Sequence, residues 1–387
     1  MSVEGIRKAV LGMEPYVPGK TIEEVRRELG LDRIVKLGSN ENPYAPFPAS
    51  AAAMRDEIEN INRYPDIAFE EIKELLAGIH GVDPKNIAIS HGAEGMLQAM
   101  AKCFLEPGDE VLLPSATYSL YRELSKLMGG RIVDVPLKDH TLDLEAVSDA
   151  ATERAKLVWL CNPNNPTGTV FHPGLLDGLL DSLPSTAWVV LDEAYAEFAE
   201  QDLLPDRARL VSGGRNVISI RTFSKAYGLA GARIGYAIAR EEVITAIDTV
   251  SEPFNANRVG IAGAVAVLTL DREACERARQ MIISDRGKTS DALKEMGLEV
   301  APSHTNFIFF ETPFPADAVA EDLLKQGIIV RPCGGWGYDR AIRVTIGTGE
   351  ENSAFLAALG RTIEQMKYRT GESPGKPAKE VAHGYLR

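Results

Sequence analysis

KLVWLCNPNNPTG (residues 156–168), WVVLDEAY (188–195) and VISIRTFSK (217–225) share one plan: a short apolar run that ends in polar, chemistry-bearing residues. The runs at 156–161, 188–191 and 217–220 are too short for helices and rich in Val, Ile and Leu, which suits strands buried on both faces. Working outward, further strands are expected at 87–90, 111–113, 132–135 and 233–239. Between them lie helical spacings: Met96, Leu97, Met100, Cys103 and Phe104 after Gly92, then Leu120, Leu124 and Leu127. Such alternation with short connections predicts an α/β fold, a mostly parallel seven-stranded sheet covered by helices.

After residue 270 the texture changes. A long charged helix over about 271–296, strands at 306–311, 328–331 and 342–346, and a final helix describe a smaller α+β domain. The expected division is 1–38, an N-terminal arm with a short helix in TIEEVRREL (21–29); 39–268, a large domain; 269–368, the small domain; and 369–387, a flexible tail rich in Gly, Pro and charge.

The net charge of −13 argues against nucleic acid or an anionic membrane as partner, since either wants a basic surface. It leaves room for a small basic pocket. Cys103, Cys161, Cys275 and Cys333 are widely spaced with no CxxC pair, so they read as reduced structural thiols. The six histidines show no paired-ligand spacing, and no catalytic metal is expected. No apolar stretch reaches the ~18 residues of a membrane helix, and the N-terminus lacks a signal-peptide core; a cytoplasmic protein is expected.

In a parallel α/β sheet, ligands bind at the carboxyl ends of the strands. There the sequence places His91-Gly92-Ala93-Glu94, then NPNNPTG (162–168), then Asp192, Glu193 and Tyr195, then Ser224 and Lys225. A lysine, a carboxylate, an amide, a phenol and a hydroxyl on one rim are the groups that pyridoxal 5'-phosphate chemistry needs. Lys225 is the candidate amine for a Schiff base with the cofactor aldehyde. Asp192 is the candidate for the carboxylate that keeps the pyridine nitrogen protonated. Asn165 and Tyr195 suit the ring hydroxyl oxygen. The backbone N–H groups of Ala93 and Glu94 at a helix start, with Ser224 and Arg233, suit the phosphate.

Each feature alone has a plainer meaning. Asp192 alone is a cap or a solvated strand end, NPNNPTG a turn, Lys225 a surface lysine, and SKAYGLAGARIGY a glycine-rich packing loop. Their joint order at strand ends is what argues for chemistry, with Lys225 roughly thirty residues past Asp192 and Arg233 shortly beyond it.

NPNNPTG, LDEAY and RTFSKAYGLAGARIGY closely resemble the fold-type-I aminotransferases of class I/II. Within them the chain is most similar to the histidinol-phosphate aminotransferase group. The likeness runs from YVPGK (16–20) to IRVTIGT (342–348) and includes LGSNENPYAP, RYPD, FLEPGDEVLLP and ATYSLY. The resemblance implies a homodimer with shared active sites, in which Tyr118 stacks on the cofactor ring and Tyr64 reaches the phosphate bound by the neighbouring subunit. It implies that Arg343 holds the substrate anion, with Arg331, Tyr16 and Asn42 as further substrate-side groups. One departure concerns the phosphate turn. Relatives carry two consecutive acids after the Gly-Ala, whereas here Glu94 is followed by Gly95. The backbone role should survive this change, because it needs no particular side chain.

The expected reaction is ping-pong amino transfer from a small-molecule donor to 2-oxoglutarate, with freed Lys225 moving the proton. A neutral lysine needs a lowered pKa, towards which the cofactor and Arg233 would push it. Histidinol phosphate carries a phosphate and glutamate two carboxylates, so Arg343 and Arg331 would have to serve both anions. Three rivals share these residues: an aromatic amino-acid aminotransferase, a lyase such as threonine-phosphate decarboxylase, and a non-enzymatic cofactor-binding regulator. The last needs a basic DNA-binding module, for which neither terminus has room.

Overall fold

The computed structural model describes residues 4–13 and 19–370. In chain order its strands are β1 (Val35–Lys36), β2 (Ile87–Ser90), β3 (Glu110–Pro114), β4 (Arg131–Val135), β5 (Ala155–Cys161), β6 (Trp188–Asp192), β7 (Val217–Thr222), β8 (Gly235–Ile238), β9 (Glu299–Val300), β10 (Phe307–Glu311), β11 (Ile328–Ile329), β12 (Arg331–Pro332) and β13 (Ala341–Thr345).

Seven of them form one sheet in the order β2-β8-β7-β6-β5-β3-β4. The β4, β3, β5, β6 and β7 pairings are parallel, and β8 runs antiparallel to both β7 and β2. This is the mostly parallel α/β sheet expected. Period-2 alternation sorts its side chains into two cores. Trp159, Cys161, Val190, Ile218 and Ile220 pack with Met96, Met100 and Tyr121 on one face. Val158, Leu160, Val189, Leu191 and Val217 pack with Phe171, Leu176 and Leu179 on the other. Both faces are therefore dry, which is why these strands read as unbroken apolar runs.

The chain divides into two compact units. Among the described residues, the first holds 4–13, 45–165 and 169–276; the second holds 19–44, 166–168 and 277–370. Within the second, β1 pairs with β11 in parallel, so the segment around residue 35 joins this unit's strands. Four strands form its other sheet, in the order β12-β13-β10-β9. The helix Ile22–Leu29 starts at a capping box between Thr21 and Glu24 and ends at Gly30 in the left-handed region.

Two sequence expectations change. The strand expected at 233–239 begins only at Gly235, because Arg233 closes a 3₁₀ turn with φ of 57°. That turn reverses the chain into the antiparallel β8. The strand expected at 328–331 is two strands in different sheets. β12 lies at a sheet edge, where Pro332, lacking an N–H, is tolerated. The long helix is Arg272–Glu295, preceded by a separate helix, Arg258–Thr269. The final helix continues to Thr370, and the rest of the expected tail lies outside the described residues.

Behind the β6 and β7 tips lies a buried ionic cluster. Fully buried Glu193 accepts from Arg207 Nη1 at 2.7 Å and from the Ser219 hydroxyl, and Arg221 Nη2 donates to Glu197 Oε1 at 2.5 Å. Burial, with Arg221 and Arg207 nearby, lowers the His80 pKa to about 2; its Nε2 lies 2.8 Å from the Tyr236 hydroxyl. His80 is thus neutral in the fold and protonates in the unfolded chain below its usual pKa of about 6.5. Because the unfolded state binds the extra proton, stability falls as pH drops through that value. Between pH 7 and pH 5 this one group is expected to remove about 2 kcal/mol. Urea melts of the protein and of His80→Gln at both pH values check this. An identical pH dependence in the two proteins would remove His80 from the account.

Candidate active site

At the carboxyl edge of the first unit's sheet, β5 and β6 end side by side, with Cys161 opposite Asp192. Asp192 is 5% exposed. Its Oδ1 accepts from the Ala194 N–H at 3.0 Å and its Oδ2 from the Tyr121 hydroxyl at 2.7 Å. Burial raises its pKa, and neighbouring Glu193 adds to the rise; the two hydrogen bonds and the charge of Lys225 act against it. Asp192 and Lys225 therefore feel each other across neighbouring strand ends. Lys225 Nζ lies 5.7 Å from the centroid of the buried Tyr195 ring. Asp192 and Glu193 are consecutive and face opposite ways: Glu193 joins the ionic cluster and Asp192 the site.

The loop after β5 is built by its asparagines. Asn164 donates to the Ala116 carbonyl at 3.0 Å and accepts from the Thr117 hydroxyl at 2.9 Å. Asn162 accepts from the Phe171 N–H at 3.1 Å, and Asn165 is buried beside them. A sequence reading as a turn is here a hydrogen-bonded shelf.

A second group of residues converges where β2, β7 and β8 end. Ser90 and Thr222 both pair with Gly235, so the helix start at Gly92 meets the loop carrying Ser224. Glycine is required twice. A Cβ on Gly235 would lie 2.5 Å from the Ala93 nitrogen, and one on Gly92, which has φ of 78°, would lie 2.6 Å from Arg233 Nη2. No side chain caps the N-terminus of the helix Gly92–Phe104. Thr222 Oγ1 donates to Ser224 Oγ at 2.9 Å, and Arg233 Nη1 lies 3.5 Å from the same oxygen. Arg233 Nη2 makes a 3.4 Å ion pair with Glu94, whose other oxygen accepts from the Tyr118 hydroxyl at 2.7 Å. Helix-end N–H groups, a hydroxyl pair and a guanidinium are together groups that could cradle a phosphate. The Arg233–Glu94 pair is partly exposed, and such pairs contribute little.

The structure thus brings together Ala93, Glu94, Ser224 and Arg233 in one group, and Asp192, Tyr195 and Lys225 in another. Tyr118 reaches both, through Glu94 and through an edge-on contact with Tyr121 at 5.6 Å. Tyr64 makes its contacts elsewhere: it is 76% exposed and stacks on Phe254 at 4.3 Å. Tyr16 lies outside the described residues. Sequence reasoning passed over Tyr121 and Thr222. The spacing of Tyr118 and Tyr121 in ATYSLY, one helical turn apart, was the available signal for the first.

In the second unit, Arg331 and Arg343 stand opposite each other across β12 and β13. Both guanidinium carbons lie near the Trp336 ring, at 5.6 and 5.8 Å. Arg343 is 6% exposed, lies 5.4 Å from the Phe307 ring and donates to the Gly38 carbonyl at 2.7 Å. Asn42 is buried and accepts from the Tyr44 N–H at 2.9 Å. Trp336, which aligns the two arginines, carried no recognisable motif.

Residues 32–359 match the model of aminotransferase class I and II. The chain is 41% identical over 357 residues to a histidinol-phosphate aminotransferase of Symbiobacterium thermophilum, covering 92% of this chain and 98% of that one. It superposes with a TM-score of 0.87 on a histidinol-phosphate aminotransferase from Sinorhizobium meliloti in complex with pyridoxal-5'-phosphate, at 32% identity, covering 94% and 99% of the two chains. It also matches an aspartate aminotransferase from Thermus thermophilus with maleate, with a TM-score of 0.80, 25% identity and coverage of 93% and 99%. The chain belongs to the aminotransferase class I and II family.

Proposed function

We propose that this protein is a pyridoxal-phosphate-dependent transaminase that moves an amino group from histidinol phosphate to 2-oxoglutarate in histidine biosynthesis. The observation that carries the chemistry is the buried Asp192 electrostatically coupled to Lys225 beside a phosphate-shaped cradle. What supports the substrate is likeness over almost the whole chain to a protein named for it.

The residues present fit the cofactor. When bound, pyridoxal 5'-phosphate supplies an aldehyde that accepts an amino group and a ring that takes up the electron pair released at the substrate carbon. Ala93 and Glu94 would offer backbone N–H groups to its phosphate, with the Ser224 hydroxyl and the Arg233 guanidinium. Asp192, screened from water, would pair with the ring nitrogen and hold a proton there. Asn165 and Tyr195 would donate to the ring oxygen, and Tyr118 would cover the ring. Lys225 Nζ would hold the aldehyde until the donor amine takes its place, then act as the base that moves the proton leaving the amino-bearing carbon. The substrate's anionic end would be held by the fork of Arg343, with Arg331, Asn42 and Tyr16 as further substrate-side groups. Tyr64, exposed on its own chain, would serve the site of a second copy in a homodimer. A cytoplasmic setting suits the four free thiols.

The deciding experiment offers histidinol phosphate, phenylalanine and threonine phosphate to the purified protein with 2-oxoglutarate. Glutamate formation from histidinol phosphate is expected to exceed that from phenylalanine by at least about tenfold in kcat/KM. Faster transfer from phenylalanine would move the assignment to aromatic amino acids. Carbon dioxide release without use of the oxo acid would move it to a lyase.

A further inference from the structure

We propose that Tyr121 is the positioning residue of this site, holding the Asp192 carboxylate in the orientation in which it works. The inference rests on the reading above, in which Asp192 partners the cofactor's ring nitrogen.

A buried carboxylate on a strand end can turn about its own side-chain bonds unless both oxygens are held. Here both are. The Ala194 N–H donates to Oδ1 at 3.0 Å, but that contact comes from two residues along and would move with the same loop. The Tyr121 hydroxyl donates to Oδ2 at 2.7 Å from an element 71 positions away in sequence. It is the bond that ties the carboxylate to something other than its own strand.

Tyr121 is itself immobilised on every side. Its ring lies flat on the Trp159 indole, with centroids 5.1 Å apart and planes 6° apart, and it meets the Tyr118 ring edge-on at 5.6 Å. One helical turn along, Ser125 donates its hydroxyl to the Tyr121 carbonyl at 2.7 Å and accepts from the Trp159 indole N–H at 3.1 Å. Trp159 and Cys161 project from one face of β5, and Cys161 is the strand neighbour of Asp192. The helix Leu120–Leu127 is therefore fastened to the strand beside Asp192, and Tyr121 hands that rigidity to the carboxylate. Tyr121 is fully buried, so its hydroxyl stays protonated and is a donor throughout the working pH range. A neutral donor steadies the carboxylate without cancelling its charge, which the ring nitrogen needs.

The test uses the full chain with Tyr121→Phe, Asp192→Asn and the double variant. Each is stripped of cofactor and reloaded with pyridoxal 5'-phosphate. Tyr121→Phe is expected to weaken cofactor affinity and to lower kcat, each about tenfold, with KM for the amino donor nearly unchanged. The cofactor-free variant should melt close to the parent. In the Asp192→Asn background, adding Tyr121→Phe should change cofactor affinity by less than about twofold, because the two residues act as one unit. Unaltered affinity and kcat in Tyr121→Phe would overturn the proposal. So would a loss of equal size with and without Asp192, or a fall in melting temperature that accounts for the loss; either leaves Tyr121 as packing. Absence of a borohydride-reducible adduct at Lys225 in the parent protein is a separate result, and would defeat the cofactor reading itself.

Discussion

Replacing Lys225 by alanine is expected to abolish the borohydride-reducible adduct and to lower kcat for amino transfer by about 10⁴-fold. The effect is large because one amine has two duties, holding the aldehyde and moving the proton. No other lysine follows a strand end of this sheet beside a buried carboxylate, among the described residues. The fold should be untouched, since Lys225 sits in a loop beyond β7 and the Tyr195 ring 5.7 Å from its Nζ is itself buried. The cradle for phosphate is built from other residues, so the variant should still bind the cofactor noncovalently. Peptide mapping after reduction and single-turnover kinetics separate the two duties. Retention of the adduct, or of more than about a hundredth of the parent kcat, would mean another amine does the work.

The second large effect is expected at Arg343. Arg343→Ala should lower kcat/KM by about 10²–10³-fold for both histidinol phosphate and 2-oxoglutarate. The two substrates carry different anions, and a phosphate and a carboxylate have in common a cluster of oxygens that a planar fork can grip. Arg343 is buried and held between Phe307 and Trp336, so its fork is oriented before the substrate arrives. Arg343→Lys keeps the charge without the fork and should recover only part of the loss. Catalytic efficiency unchanged for both substrates would end the idea of one arginine serving two anions. A loss confined to one substrate would divide the duty between Arg343 and its neighbour across the strands, Arg331.

The seven-stranded sheet is legible because its strands, apart from the edge strand β4, are buried on both faces. Double burial leaves an unbroken apolar run, and polar residues appear only where the run reaches its carboxyl end. That rule and residue type single out Lys225, Asp192 and Asn165 as candidates. Arg233 reads from the sequence as the start of a strand, whereas it lies in the turn before β8. Nothing local distinguishes ARIGYAI as a strand from the same letters beginning in a left-handed turn. The split at residues 328–332 is hidden for a similar reason: IIVRP has no break between Ile329 and Arg331, and only its neighbours send β11 and β12 to different sheets.

Residue order alone therefore carried the α/β class, the strand-end chemistry and the amine on which the proposed reaction depends. These follow from local rules, namely periodicity, turn chemistry and the reactivity of particular side chains. Three-dimensional packing alone assigned Tyr121 to Asp192, Trp336 to its two arginines, and Glu193 to the ionic cluster while adjacent Asp192 turns the other way. Those partners are distant in the chain, and a tyrosine or tryptophan reads the same whether it merely fills a core or holds a functional group. Contact across the fold separates the two cases, because a hydrogen bond between residues 71 positions apart leaves no periodic trace in the sequence.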